Sequence, residues 1–271
     1  TADYQIKLRL KNFTPPVSGN IDMTTMTADE AQTTILAALA AGFTELKLTG
    51  ELSKIGMGGN WGSFINNKQI TKCDLTGVTD WGTTPTLPEL AFANCTALQE
   101  VTLPDDMKVI GGSAFSGCAA LTTVNLSQVT RINLSAFWGC TSLETLALDN
   151  VTAIGQEAFY ECTGLETLKI PKCTQFGNYI VTGCKALTRI EAIAAGDFVH
   201  ISDGSSIERT AVFHNRTAHS GDNAFDPAKC DLVLNADKQQ GGGAAPTATA
   251  NNEWTVAQYG GLMRWKSITP P

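Results

Sequence analysis

A repeat of 22 or 23 residues between Leu98 and Ile193 limits what this chain can fold into more than any other feature. The repeated residues are leucines that open each block, a pattern of apolar residues at alternate positions after them, and an Ala-Phe-x-x-Cys segment. The phenylalanines and cysteines that recur in phase are Phe92, Phe115, Phe137, Phe159, Cys95, Cys118, Cys140, Cys162 and Cys184. Self-similarity at this period is typical of a solenoid, in which each coil buries its apolar face against its neighbours. We therefore predict an α/β repeat solenoid.

The solenoid is predicted to extend beyond the regular blocks, over residues 43–235. Phe43 to Leu48 and Ile70 to Leu75 match the opening of the later blocks, and Ala224-Phe225 with Cys230 to Leu234 restores the pattern near the end. Between these matches the phase is lost, which predicts an insertion at about 194–223. Residues 236–271 are predicted to hold a mobile loop, from Gln239 to Asn252, followed by a C-terminal cap.

Both ends of a solenoid need a cap, because a bare end exposes the core. Residues 1–42 fit an N-terminal cap: apolar and polar residues alternate from Tyr4 to Phe13 as in a strand, and Thr27 and Glu30 form a capping box that begins a helix. The helix is expected to end near Ala41. The residues expected to close the far end are Trp254, Tyr259, Leu262, Trp265 and Ile268.

The number of cysteines, eight, suggests a disulfide framework, but their positions in the repeat argue against it. Five recur at one place in successive blocks, and Cys73 and Cys173 replace apolar residues. Free cysteine behaves as a small apolar side chain, so buried thiols are predicted. Neighbouring coils lie about 4.8 Å apart, which leaves disulfides within the column open as the alternative.

Composition and motifs argue against several functional classes. The net charge is -7 and the 19 Lys and Arg are scattered, which argues against nucleic-acid binding. No apolar run is long enough for a transmembrane helix. No phosphate-binding loop, nucleophile elbow or zinc-helix motif occurs, so we predict no cofactor, no metal and no enzymatic activity.

The histidines and a few acidic residues form the weakest candidate sites. His200, His214 and His219 all lie in the insertion and could bind a metal with Asp203 or Asp222, while Asp222, Asn223 and Asp226 suggest calcium. None of these spacings matches a known site, so solvated loop residues are the preferred interpretation.

The pattern Leu-x-x-Val-x-Leu-Pro, Ile-Gly, Ala-Phe-x-x-Cys over Leu98 to Cys118 resembles the BspA-like bacterial surface leucine-rich repeat family. The resemblance is close from Ala91 to Cys184 and looser outside it. It implies a leucine-rich-repeat solenoid with coils of 22–23 residues. It also implies a secreted or outer-surface bacterial protein, often a lipoprotein, and an adhesin-like role in binding host or neighbouring-cell proteins.

Two outward columns on the predicted strands are candidate binding surfaces, because side chains alternate along a strand. One column is Glu45, Lys72, Glu100, Thr123, Thr145, Thr167 and Arg189, and the other is Lys47, Asp74, Thr102, Asn125, Ala147, Lys169 and Glu191. The alternative is that these residues only keep an exposed sheet soluble.

A third candidate carries aromatic rings between the repeated Phe and Cys. Trp138 and Tyr160 occupy the same place in adjacent blocks, and Tyr179, Glu161 and Gln156 fall in the same turns. Exposed rings beside polar groups suit a protein contact or a sugar ring. The alternative is that the two rings pack on each other.

The sequence therefore predicts a non-enzymatic surface protein, monomeric and extracellular or held on the outer cell surface, with lipid anchoring as a further expectation. Its predicted partner is a host or neighbouring-cell protein. A glycan-binding accessory lipoprotein is the alternative.

Overall fold

A computed structural model describes residues 16–56, 64–192, 199–201, 212–213, 225–233, 253–256, 261–264 and 266–269. The described chain forms a parallel β-solenoid, which confirms the predicted repeat fold. Each regular coil contributes two short strands, and the Ala-Phe-x-x-Cys segment that follows is a series of turns. The predicted strand from Tyr4 to Phe13 lies outside the described residues.

The first strand of every coil lies on one side of the solenoid, which we call the strand face. Its strands are β1 (Asn20–Asp22), β2 (Glu45–Glu51), β3 (Lys72–Thr79), β5 (Glu100–Thr102), β7 (Thr123–Val124), β9 (Thr145–Ala147), β11 (Thr167–Lys169), β13 (Arg189–Glu191), β15 (Asp231–Val233) and β18 (Ser267–Thr269). Residues one coil apart pair in register, so that Thr145 lies beside Thr167 and Thr167 beside Arg189. Residues of the predicted columns are therefore paired neighbours within each of the two ladders of this face, β1 to β7 and β9 to β18.

The second strand of each coil builds another parallel sheet. Its strands are β4 (Thr86–Leu87), β6 (Val109–Ile110), β8 (Arg131–Ile132), β10 (Ala153–Ile154), β12 (Gln175–Phe176) and β14 (Val199–His200). A separate antiparallel hairpin joins β16 (Glu253–Val256) to β17 (Gly261–Arg264). A 3-10 helix at Pro227–Lys229 precedes β15.

The N-terminal helix α1 (Ala28–Ala40) begins at the predicted capping box. Thr27 Oγ1 accepts from the Glu30 backbone N–H at 3.3 Å, and the Glu30 carboxylate accepts from the Thr27 N–H at 2.8 Å. Its buried face, which includes Ile35 and Leu39, joins the core of the coils. A short helix α2 (Leu52–Ile55) follows β2.

The predicted loss of phase over 194–223 is only partial. Val199 pairs with Gln175 and thereby adds β14 to the second sheet. Val212 and Phe213 are fully buried, and the Phe213 ring packs edge-on against Phe176. Apolar residues inside the insertion thus still pack in the core, although they do not follow the 22- or 23-residue spacing of the repeat.

The core is organised by a column of stacked phenylalanines. Phe64, Phe92, Phe115, Phe137 and Phe159 stack with successive centroid distances of 5.2, 5.6, 5.2 and 5.8 Å. This confirms the predicted column and extends it by one coil, to Phe64. Each ring buries a large apolar area against the rings above and below, so the column ties coils together.

A parallel column of cysteines links each coil to the one before it by hydrogen bonds. The thiols of Cys95, Cys118, Cys140, Cys162 and Cys184 donate to phenylalanine carbonyls of the preceding coil at 2.8 to 3.1 Å, respectively those of Phe64, Phe92, Phe115, Phe137 and Phe159. All eight cysteines are buried and free, which confirms the buried-thiol prediction. A cysteine fits this place because it is small and apolar and yet carries one donor.

Burial makes the thiols unreactive. It raises the pKa of Cys95 and of Cys162 to about 12 and moves that of Cys140 well above its usual range. At about pH 8, far below these values, almost no thiolate is present in the folded protein. We predict that a disulfide-exchange reagent titrates close to eight thiols in denaturant without reductant, and almost none quickly in the native protein. A near-zero count in denaturant would show that the column is oxidised.

The hydrogen bond of the cysteine column is tested by two serine substitutions. In Cys140→Ser the hydroxyl keeps the Phe115 carbonyl as acceptor, whereas the thiol of the buried Cys73 makes no hydrogen bond among the described residues. A buried hydroxyl without a partner costs about 1–3 kcal/mol. We therefore expect Cys73→Ser to lower the free energy of unfolding by about 1–2 kcal/mol more than Cys140→Ser, measured by urea denaturation. Equal losses would contradict the assigned hydrogen bond.

Candidate functional site

The strand face is a repeated surface, and its outward residues follow the predicted columns. Glu45 pairs in register with Lys72, Lys72 with Glu100, and Glu100 with Thr123. Between these residues Leu46, Cys73 and Val101 point into the core. The alternation therefore has the predicted phase, with apolar side chains inside and polar ones outside.

Lysines at the N-terminal end of the strand face compensate most of its negative charge. Lys72 Nζ lies 3.6 Å from Glu45 and 3.8 Å from Glu100, and Lys47 Nζ lies 3.0 Å from Asp74. These cross-strand pairs border a shallow depression of about 340 Å³. Exposed pairs of this kind contribute little stability, about 0–1 kcal/mol each. Their main effect here is to reduce the net charge, since three carboxylates are matched by two lysines.

Charges at the other end of the face are also paired. Lys169 Nζ lies 3.4 Å from Asp149, and Arg189 Nε donates to Glu191 at 2.8 Å. Between the two charged ends lie the threonines of the first column, of which Thr123 and Thr145 are exposed and Thr167 is half-buried. The centre of the strand face is therefore neutral and lined by hydroxyl groups.

The ladder of the strand face is divided at this neutral centre, between β7 and β9. On the other side of β7, toward β5, the Asn125 side-chain amide bonds to the backbone of Leu103: its oxygen accepts from the Leu103 N–H at 2.6 Å, and its nitrogen donates to the Leu103 carbonyl at 2.9 Å. Val124 is only half-buried, unlike the other residues of its inward column. Asn125 was predicted to lie in an outward column, and the break was not predicted, although asparagine is unfavourable in strands.

The aromatic candidate site is assembled only in part. The rings of Trp138 and Tyr160 lie 4.7 Å apart at an angle of 54°, and Trp138 Nε1 donates to Glu161 Oε2 at 3.3 Å. Gln156 is exposed and donates to Glu157 at 3.4 Å. Trp138, Tyr160 and Glu161 thus form one cluster, as the shared position in the repeat predicted.

The prediction that Tyr160 is exposed was wrong. Its side chain is 5% exposed, whereas that of Trp138 is 37% exposed. Ala93 and Thr182, which occupy the same place in other coils, are buried as well. A position whose residue varies between repeats can therefore still be buried. Within this cluster, only the Trp138 ring is exposed to solvent.

Strained backbone fixes the geometry of this cluster. Glu161 has a φ of 56° at the place where Gly117, Gly139 and Gly183 have φ values of 70 to 78°. Tyr179, with a φ of 63°, lies in a second such column with Glu157 and Ser135. Left-handed backbone costs a non-glycine residue roughly 1 kcal/mol and persists where neighbours determine it. The Glu161 N–H donates to the Thr182 carbonyl of the next coil at 2.7 Å, which holds it in place.

The predicted metal candidates find no support in the part of the chain that the structure describes. Within it, no group of three or more His, Cys, Asp or Glu side chains could hold a metal ion. His200 lies in β14, and Asp226 caps the 3-10 helix by accepting from the Ala228 N–H at 3.0 Å. His214, His219, Asp203, Asp222 and Asn223 lie outside the described residues. No described helix is long and apolar enough to cross a membrane.

Comparison with known proteins agrees with the repeat geometry. The family model of the BspA type leucine rich repeat region matches residues 63–188 in 6 copies. No curated protein matches the chain.

Solved leucine-rich repeat structures are also similar. A leucine rich repeat protein of T. pallidum shares 26% identity, with 46% of this chain and 59% of that chain covered and a TM-score of 0.42. A leucine rich cell surface protein of Faecalibacterium prausnitzii shares 24% identity, with coverages of 65% and 57% and a TM-score of 0.39. A leucine-rich repeat protein of Bacteroides ovatus shares 18%, with 66% and 58% covered and a TM-score of 0.36.

The chain thus spans less than two thirds of each of these three solved chains. The repeat geometry and the family match agree over the regular coils, from the Phe64 ring to the Cys184 thiol. Residues 63–188 therefore carry BspA-type leucine-rich repeats, and the family resemblance extends over this part of the chain.

Proposed function

We propose that this protein is a non-enzymatic, adhesin-like binding protein of the outer bacterial cell surface, which recognises a host or neighbouring-cell protein through its strand face. The observation that carries the proposal is the register of the ladder, which aligns outward side chains of successive coils into columns. BspA-type repeats in 6 copies support a repeat-based binding role. An extracellular location, a lipid anchor and a monomeric state belong to the same proposal.

The proposed contact centre is the neutral middle of the strand face. Thr123, Thr145 and Thr167 offer hydroxyl donors and acceptors there, and Val124 adds partly exposed apolar surface at the break in the ladder. The paired charges of Glu100, Lys169 and Arg189 form the rim. A neutral centre inside a polar rim follows the usual anatomy of protein interfaces. Because the rim charges are paired, binding at this face should depend only weakly on salt.

The proposal is tested by blocking the face without disturbing the coils. We expect the purified chain to bind at least one protein in a panel of host-matrix and cell-surface proteins, measured by surface plasmon resonance. The double variant Thr145→Glu with Thr167→Glu places two charges at the centre, and it should weaken that binding by about tenfold or more because unpaired charges are costly to desolvate.

The matched control is Ser127→Glu with Gln128→Glu, which adds the same charge at two exposed residues outside the strand face. This control should bind within about twofold of the unmodified chain. Binding to no member of the panel, or equal losses in both double variants, would contradict a contact through the strand face.

Glycan binding is the second candidate, and the exposed Trp138 ring is the observation that favours it. An indole face beside the Glu161 carboxylate, which already accepts from its N–H, is a surface on which a sugar ring can stack. Tyr160 would support the Trp138 ring from below and would not itself touch the sugar, because it is buried.

A glycan array separates this second candidate from the first. If the ring binds sugar, Trp138→Ala should abolish the signal of the recognised glycans and leave the protein-panel binding unchanged. Trp138→Phe, which keeps an aromatic face and loses the N–H, should retain part of the signal. Spots that do not change in Trp138→Ala, or no bound glycan, would exclude a sugar site at Trp138.

A further inference from the structure

A second surface lies where β3 and β5 end, and it is separate from the outward columns of the strand face. The loops after these strands enclose a cleft of about 590 Å³ that is open to solvent. This volume lies within the range of about 300–1,000 Å³ that is usual for ligand sites. We propose that the cleft is a docking site for a basic segment of a partner protein, and that it receives a lysine or arginine side chain.

The floor of the cleft is apolar and rigid. Val78 is 3% exposed and the Trp81 ring is 9% exposed, and the two are joined by a hydrogen bond of 2.7 Å from Trp81 Nε1 to the Val78 carbonyl. Pro85 and Pro104, both half-buried, complete the lining. Because the indole nitrogen is already satisfied and Trp81 is mostly buried, the accessible apolar surface of the cleft comes mainly from Pro85 and Pro104. The stem of a lysine or arginine side chain packs well on such a surface.

The rim of the cleft is negatively charged and uncompensated. Asp80, Asp105 and Asp106 are exposed and line the cleft from two neighbouring coils. Among the described residues, none forms an ion pair with these three carboxylates, whereas the acidic residues of the neighbouring strand face are paired with lysines. Three carboxylates around an apolar floor complement a cation on an aliphatic stem, and they oppose an acidic partner.

This charge distribution favours a basic peptide over a neutral sugar as the ligand of the cleft. A sugar ring needs a broad aromatic face, and Trp81 is mostly buried. A cation needs concentrated negative charge, which the three carboxylates provide. Because these charges are exposed, their attraction is long-ranged and should weaken with added salt. The two surfaces of the molecule thus differ in the salt dependence expected of them.

The test uses the whole chain and a fluorescein-labelled hexalysine peptide, followed by fluorescence anisotropy at low and at physiological salt. The variant Asp80→Asn with Asp105→Asn and Asp106→Asn preserves shape and removes the charge of the rim. We expect it to weaken peptide binding by about tenfold or more. A hexapeptide of acetyllysine, which has lost its charge, should not bind.

The matched control is Glu89→Gln with Glu144→Gln and Glu166→Gln, three exposed residues that do not line the cleft. This variant loses the same three charges and should bind hexalysine within about twofold of the unmodified chain. Equal weakening in both triple variants would show attraction to the net charge alone and would overturn the proposal. Failure of the unmodified chain to bind hexalysine, displacement of the peptide by a neutral oligosaccharide, or unchanged binding in the aspartate variant would also overturn it.

Discussion

The stacking of each coil on the one before it is the constraint on which the rest of the structure depends. A single coil has strands of only two or three residues over most of the solenoid and cannot bury its own apolar face. Stacking supplies three things in register: the parallel ladder, the phenylalanine column and the thiol-to-carbonyl hydrogen bonds of the cysteine column. Because all three repeat at the same interval, a shift of one residue between coils would break them together.

This constraint separates the residues that fold the chain from those that are free to recognise a partner. The leucines, phenylalanines and cysteines of the repeat are buried almost without exception. The residues left free are those on the outer side of the strands and in the loops between them. On the strand face these residues are threonines between paired charges, and at the loop cleft they are aspartates that form no ion pair with another described residue. One scaffold thus presents a neutral surface and a charged one.

The period of the sequence was enough to predict the columns, because burial in a solenoid follows directly from phase. The stacked rings from Phe92 to Phe159, the buried cysteines and the register of Thr145 with Thr167 all came from spacing alone. The capping box at Thr27 was predictable for a similar reason, since it depends on residues three apart. These features are local in sequence or exactly repeated from coil to coil.

Features that depend on a particular neighbour could not be predicted in this way. Tyr160 is buried because adjacent coils cover it, and nothing in the period indicates how deep its position lies. Val199 pairs in the second sheet and Phe213 is buried in the core, although both lie where the repeat spacing is lost. Asn125 bonds through its side-chain amide to the backbone of Leu103 in the preceding coil, and the ladder ends on the other side of its strand. The cleft at Trp81 is formed by loops of two coils that the repeat pattern does not describe.

Deleting one whole coil tests the central claim, that coils stack through interchangeable, phased residues, most directly. Removal of Leu143 to Gly164 joins Ser142 to Leu165 and restores the pattern, so stacking predicts a folded protein with one cooperative urea transition and a lower midpoint. Removal of Leu143 to Ala153 joins Ser142 to Ile154 out of phase and should abolish the cooperative transition. Equal loss of folding in both deletions, or a cooperative transition in the out-of-phase one, would contradict the account.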